Sequence, residues 1–250
     1  MSIQVNKLSR IFHDSKRGEF YAAKDVTFSC GKGEVFGLLG PNGAGKTTTL
    51  QMISTLIKPT SGEALVNGYD VMKDPLMVRK QIGFTSSDTG LYERLTAREI
   101  LSYFGKLHKY PTEKLSDRIE TLAKDLNMTD FLDTRSDKLS TGMKQKVSIA
   151  RAMVHDPPIL ILDEPTSGLD VITSQMVHEI VKSCRDADKC IVFSTHIMNE
   201  AEKLCDRIGI IYNGILHTIG TIEELRETTG EKSLEEIFLK VVQGEVSGKS

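Results

Sequence analysis

Several things are missing from this 250-residue chain, and each absence removes a class of protein. Cysteine is scarce: Cys30, Cys184, Cys190 and Cys205 form no C-x-x-C pair and no zinc-binding spacing. They are expected to be reduced, mostly buried thiols of a cytosolic protein, not a disulfide framework. A surplus of charge of either sign is also missing. Lys and Arg number 32 against 34 Asp and Glu, a net charge of −2, so there is no global electrostatic case for nucleic acid. No apolar run approaches the roughly 20 residues that a membrane span requires. The opening Met1-Ser2-Ile3-Gln4-Val5-Asn6-Lys7 does not read as a signal peptide, and there are no internal repeats or low-complexity tracts. The expectation is a chain soluble by itself, touching a membrane only through a partner. Its length suits one α/β unit with a subdomain, able to bury a sizeable core.

What is present is organised around Gly40-Pro41-Asn42-Gly43-Ala44-Gly45-Lys46-Thr47-Thr48. An apolar run, Val35 to Leu39, precedes it and Thr49-Leu50-Gln51-Met52-Ile53 follows. This is strand, glycine-rich loop and helix with the phosphate-loop spacing G-x-x-x-x-G-K-T. The glycines let backbone N–H groups turn inward around phosphate oxygens, and the helix points its positive end at them. Lys46 can reach the β- and γ-phosphates of a nucleotide, and the Thr47 hydroxyl can bind Mg²⁺.

Ile3, Val5 and Leu8 predict an edge strand, and Val26-Thr27-Phe28-Ser29 the start of another, with His13 to Glu19 a hairpin loop between them. Glu34 to Leu39 is too apolar to alternate and fits a strand buried on both faces of a parallel sheet. Pro59-Thr60-Ser61-Gly62 and Asn67-Gly68 turn the chain around Glu63 to Val66, and Lys80 to Phe84 reads as a short strand. From Thr96 to about Val154 the period is helical. Thr96-Ala97-Arg98-Glu99 is a capping box ahead of Ile100, Phe104 and Leu107, Lys114 to Leu126 is a second helix, and Ser140 caps a third carrying Met143, Val147, Ala150 and Val154. Helices inserted between strands of an α/β sheet predict a helical subdomain, about residues 90–154. Strands return at Ile159 to Leu162, Cys190 to Phe193 and Ile208 to Ile211. The tail, residues 223–250, has capping boxes at Thr221 to Glu224 and Ser233 to Glu236. Leu234, Ile237, Phe238 and Val241 share one face of its last helix, which either packs on the domain or meets another subunit. Gln243 to Ser250 is expected to be disordered.

Four apolar residues ending in Asp163-Glu164 put two carboxylates at the C-terminal end of a central strand, where open parallel sheets bind ligands. Asp163 is suited to hold Mg²⁺, directly or through water, and Glu164 to accept a proton from an attacking water. His196 leaves the strand Cys190 to Phe193 through Ser194 and Thr195, on the same sheet edge. Its imidazole could donate to a γ-phosphate oxygen, or serve only as a local hydrogen-bonding residue.

Leu139-Ser140-Thr141-Gly142-Met143-Lys144-Gln145 resembles the signature motif of ATP-binding cassette (ABC) proteins, a variant of L-S-G-G-Q. Asp163 to Asp170 resembles their Walker B segment and D-loop, and Ser194-Thr195-His196 their switch histidine. The resemblance runs in order from Ile3 to about Thr221. It implies a P-loop NTPase fold of the α/β class: a RecA-like, mostly parallel sheet core with an antiparallel β subdomain and the inserted helical subdomain, together residues 1–222. It implies ATP and Mg²⁺ as ligands, Glu164 and His196 as catalytic groups, and a homodimer of cassettes that sandwiches two ATP molecules. In that dimer Ser140, Thr141, Gly142 and Met143 would contact the ATP of the opposite subunit, and Asp170 would lie in the D-loop. Phe12 matches the aromatic that stacks on adenine, although Phe20 or Tyr21 could take its place, and any of the three could be core. The partner implied is a separately encoded transmembrane permease, which places the protein in the cytoplasm, peripheral on the inner face of the cell membrane.

Two departures from the family pattern stand out. The family has Gln where alignment puts Ser87, in the loop Thr85 to Tyr92 that faces the permease; Ser87 and Asp88 are therefore the coupling-loop candidates. Thr141 and Met143 replace the second Gly and the Gln of the signature. Within the family, Ser86 to Tyr92, the Leu-Ser-Thr-Gly-Met variant and His155-Asp156-Pro157-Pro158 resemble the ATPase subunits of sodium-extruding exporters. The alternatives are an exporter of another cargo such as a drug or peptide, or a soluble ABC ATPase acting on ribosomes. The ribosomal class joins two cassettes by a charged linker that this chain does not show. The SMC/Rad50 class needs long coiled coils for which Thr48 to Leu139 has no room, and a GTPase would want N-K-x-D, whereas Asn6-Lys7-Leu8-Ser9 lacks the Asp.

Overall fold

A computed structural model describes residues 1–14, 18–86 and 90–246. In chain order the strands and helices are β1 (Ile3–Asp14), β2 (Gly18–Cys30), β3 (Val35–Leu39), α1 (Lys46–Ile53), β4 (Ser61–Val66), β5 (Tyr69–Asp70), α2 (Pro75–Gln81) and β6 (Ile82–Ser86). Three helices follow without a strand, α3 (Ala97–Leu107), α4 (Thr112–Asp125) and α5 (Thr141–Met153). The chain then alternates through β7 (Ile159–Asp163), α6 (Val171–Asp186), β8 (Cys190–Thr195), α7 (Met198–Leu204), β9 (Arg207–Tyr212) and β10 (Ile215–Gly220), and ends in α8 (Ile222–Thr229) and α9 (Leu234–Val246).

The strands form one sheet in the order β5-β4-β1-β2-β10-β9-β3-β8-β7-β6. Strands β9, β3, β8, β7 and β6 are mutually parallel, while β1, β2, β4 and β5 pair antiparallel. The two halves join through β10, which pairs antiparallel with β9 and parallel with β2. Every residue of β3, β7 and β8 is buried, as continuous apolar runs in a parallel sheet require. Their period of two sorts them between layers: Leu160, Leu162, Ile191 and Phe193 pack with α3 to α6, whereas Ile159, Ile161 and Val192 pack with α1 and the antiparallel strands.

Several expectations need correction. β1 is not an edge: it bonds β2 on one side and β4 on the other. β2 begins at Gly18, so the polar stretch hid strand residues whose partners pair as far as Asp14↔Gly18. Lys80 and Gln81 complete α2, and the strand starts at Ile82. Leu107 is exposed, and Leu101 is buried beside Ile100 in its stead. Residues 243–246 are helical instead of disordered.

The capping boxes form. Thr96 Oγ1 accepts from Glu99 N at 3.2 Å while Glu99 Oε2 accepts from Thr96 N at 2.8 Å, and Thr221 with Glu224 repeats the exchange. The apolar face of α9 packs on the domain. Leu234 and Ile237 are fully buried against Leu39, Ala201, Ile208, Ile210 and Leu225, each contributing about 1.5–3 kcal/mol of apolar burial.

Candidate active site

The loop between β3 and α1 is threaded through a narrow place. A Cβ on Gly40 would lie 2.2 Å from Ile211 O, and one on Gly45 would lie 2.3 Å from Ala22 O. Gly45 also adopts φ +103°, which side chains rarely tolerate. Both positions exclude any residue but glycine. Lys46, the first residue of α1, is buried, and its Nζ donates to Gly40 O (2.7 Å) and Pro41 O (3.0 Å). The same ammonium lies 2.9 Å from Glu164 Oε1.

Asp163 ends β7 and is 2% exposed. Burial pushes its carboxyl above the usual range, and Ser194, Thr47 and Lys46 pull the other way. Ser194 Oγ donates to Asp163 Oδ1 at 2.6 Å, and Ser86 Oγ reaches Oδ2 at 3.4 Å. Glu164 follows with φ +47°, a backbone position that costs a non-glycine residue about 1–3 kcal/mol and persists where its surroundings hold it. Here its N–H faces both Ser194 O (3.2 Å) and Ser194 Oγ (3.0 Å). That turn aims the side chain back across the loop. Oε1 meets Lys46 and Oε2 lies 3.1 Å from His196 Nδ1. Thus Lys46, Glu164 and His196, from three separate segments, form one chain of contacts.

Two of them, Lys46 and Glu164, line a cavity of about 600 Å³ together with Asn42, Gly43, Gly45, Thr47, Thr48 and Ser167. Phe20, Tyr21 and Ala22 of β2 and the turn Asn213-Gly214 complete its lining. Phe12 does not line it; its ring is 6.2 Å from Phe20 and carries the Arg10 guanidinium 4.7 Å above it. The two alternative aromatics, not Phe12, therefore face the cavity.

The signature residues lie apart from this cavity. Ser140 caps α5, its Oγ accepting from Met143 N at 3.3 Å, with Ser140 and Thr141 exposed and Gly142 and Met143 half-buried. Gly142 abuts the start of α6, where a Cβ would lie 3.2 Å from Thr173 Oγ1. Asp170 caps α6, accepting from Ile172 N (2.9 Å), Thr173 N (3.0 Å) and Thr173 Oγ1 (2.8 Å), and these donors hold its carboxyl below the usual range. Gln145 Nε2 donates to Pro165 O at 2.8 Å, tying the signature helix to the turn after Glu164. Beside them Val171 and Ile172 are 86% and 84% exposed, an apolar pair turned outward. The coupling-loop candidates Ser87 and Asp88 lie outside the described residues.

Sequence reasoning missed two contributors. Ser194 serves both carboxylate residues at once, and nothing in a strand-ending Ser-Thr-His distinguishes that role. The Asn213-Gly214 turn touches the loop, with Gly214 N donating to Ala44 O at 2.9 Å. An Asn-Gly between two strands was its only signal.

The chain matches the family model described as ABC transporter over residues 23–167. The ABC transporter ATP-binding protein NatA of Bacillus subtilis (strain 168) is 43% identical over 244 residues, covering 97% of this chain and 99% of that protein. A solved structure of an ATP binding subunit of an ABC transporter matches with a TM-score of 0.87 at 31% identity, covering 97% of this chain and 100% of that one. A dimeric ATP-binding cassette in a post-hydrolysis state, bound to ADP and Pi, matches with a TM-score of 0.80 at 27% identity, covering 88% of this chain and 98% of that one.

Proposed function

Since the chain belongs to the ABC transporter family, as one of its ATP-hydrolysing ATP-binding cassettes, we propose that it works in pairs to power a separately encoded transmembrane permease, in export and with sodium as cargo. The observation that carries the catalytic part is the Lys46–Glu164–His196 chain of contacts, of which Lys46 and Glu164 line the cavity.

The triphosphate of ATP takes the loop from Gly40 to Thr48, where backbone N–H groups and the start of α1 offer positive charge. The Lys46 ammonium turns toward phosphate oxygens and leaves Glu164 Oε1, so the carboxylate is freed to accept the proton of the attacking water. His196, steadied at Nδ1 by Glu164, holds the γ-phosphate. Adenine stacks on Tyr21 or Phe20. The residues present fit Mg²⁺: the buried Asp163 carboxylate and the Thr47 hydroxyl beside it are hard oxygen donors. Among the described residues no group of three or more His, Cys, Asp and Glu side chains could hold a metal alone, so Asp163 and Thr47 would hold Mg²⁺ only together with a bound nucleotide. The ion, once bound, neutralises charge developing on the phosphates.

The signature, exposed beside Asp170 and the outward pair Val171 and Ile172, suits contact with a second copy. There Ser140 and the Gly142 backbone, at the start of α5, face the other copy's γ-phosphate, with Thr141 and Met143 alongside. ATP then holds the pair together and hydrolysis releases it. No helix of the described residues is long and apolar enough to cross a membrane, in keeping with docking on a permease from the cytoplasmic side. Sodium rests on the motif resemblance, because no residue at the cavity reads cargo.

Glu164→Gln tests the reading. It should bind ATP, lose well over a hundredfold in turnover, more than about 2.7 kcal/mol of barrier, and sediment as a trapped dimer with ATP that Ser140→Arg abolishes. A variant that stays monomeric at saturating ATP would sink the sandwich.

A further inference from the structure

Outside the residues that line the cavity, a second carboxylate is buried without an assigned task. Glu200, in α7, is 6% exposed. A buried carboxylate is costly unless donors surround it, and apolar replacements of similar volume serve stability as well or better. Its donors come from three separate segments. Oε2 accepts from Thr195 Oγ1 at 2.8 Å and from Thr166 Oγ1 at 3.0 Å, both hydroxyls buried. Oε1 lies 3.3 Å from His178 Nε2, in α6.

Each partner leads to a part of the site. Thr195 immediately precedes His196, and its hydroxyl also accepts from Ile197 N at 2.9 Å, so one oxygen spans the backbone on both sides of the histidine. Thr166 lies two residues past Glu164, in the turn closed by Ser167 N to Glu164 O at 3.1 Å. His178 sits on the helix that Asp170 caps. The direct contact of Glu164 with His196 is partly open to water, with the imidazole 38% exposed. The buried contacts lie one layer deeper.

We propose that Glu200, braced by His178, is a positioning residue that sets His196 against Glu164 for hydrolysis and leaves ATP binding untouched. This rests on the role given above to His196. A carboxylate suits the task because its two oxygens take three donors at fixed angles, which an apolar contact cannot do. Its polar partners are Thr166, Thr195 and His178, none of them in the phosphate loop, so nucleotide affinity and turnover should separate.

Steady-state ATPase assays on the full chain test this, with thermal unfolding as a check on folding. Glu200→Ala should lower kcat about tenfold or more while KM for ATP stays within about twofold, the pattern of an interaction felt only in the transition state. Thr195→Val, nearly isosteric, should lower kcat in the same sense if the alanine variant folds poorly. Combined with His196→Ala, neither should lower kcat below His196→Ala alone, because both act through that histidine. Unchanged kcat in Glu200→Ala and Thr195→Val, alongside a large loss in His196→Ala, would overturn this inference alone. So would a double variant whose losses multiply. Full turnover in His196→Ala would overturn it together with the site reading beneath it.

Discussion

Ser194→Ala removes one oxygen from the centre of the site, and its cost can be worked from the contacts. The Oγ donates to Asp163 Oδ1 at 2.6 Å and accepts from Glu164 N at 3.0 Å. Glu164 N keeps Ser194 O at 3.2 Å, so it is not orphaned, and the loss falls on Asp163. A buried hydrogen bond to a charged group contributes about 1.5–3 kcal/mol. At about 2 kcal/mol, a domain of this size should melt about 4–8 °C lower. The loss should also depend on pH. Burial already raises the Asp163 carboxyl above its unfolded value, and Ser194 is the strongest group lowering it. A carboxyl raised on folding binds its proton more tightly in the native state. Its contribution is therefore fully present below the unfolded pKa and is lost as pH rises through the folded one. Without Ser194 the folded pKa climbs further. The variant should then fall short of wild type by less at pH 5 than at pH 7. Thermal melts followed by circular dichroism at the two pH values measure this. Equal melting temperatures, or a deficit that is the same at pH 5 and pH 7, would refute the placement of Ser194 as the donor that pulls the Asp163 pKa down.

Lys46→Ala should sharply weaken ATP binding, since among the described residues lining the cavity the ammonium is the only side-chain cation; unchanged affinity for a fluorescent ATP analogue would count against the loop. Tyr21→Ala and Phe20→Ala together should raise KM for ATP about tenfold, at roughly 1–3 kcal/mol per lost base stack. Phe12→Ala should change it little, and a larger effect from Phe12 would return the adenine to the next strand. Co-expressed with its permease, the protein should lower intracellular Na⁺ in cells lacking other sodium pumps, and equal sodium with wild type and Lys46→Ala would reject that cargo.

The local chemistry was legible before any coordinates. The strand–loop–helix around Lys46, the capping boxes at Thr96, Thr221 and Ser233, and the doubly buried run of β3 depend on neighbours within a few residues. Such neighbours leave periodic or fixed-spacing marks in the chain. The parallel core and the inserted helices followed from where those marks changed period.

Other features depend on residues far apart in sequence, and no spacing records them. Which aromatic faces the cavity is decided by how β2 crosses the loop, so Phe12, Phe20 and Tyr21 look alike on paper and differ in space. That β1 lies inside the sheet follows from β4 returning beside it, a pairing its alternation of side chains cannot reveal. The face of α9 was legible as apolar, but only its docking on Leu39, Ala201 and Ile210 shows what covers it. The same holds at the centre of the site. Asp163, Glu164 and His196 stand out by residue type and position, whereas Ser194 and Glu200 are ordinary residues until the fold brings Asp163, Thr166 and His178 to them. Residue type limits what chemistry a side chain can do, and only the crossing of distant segments gives it a partner.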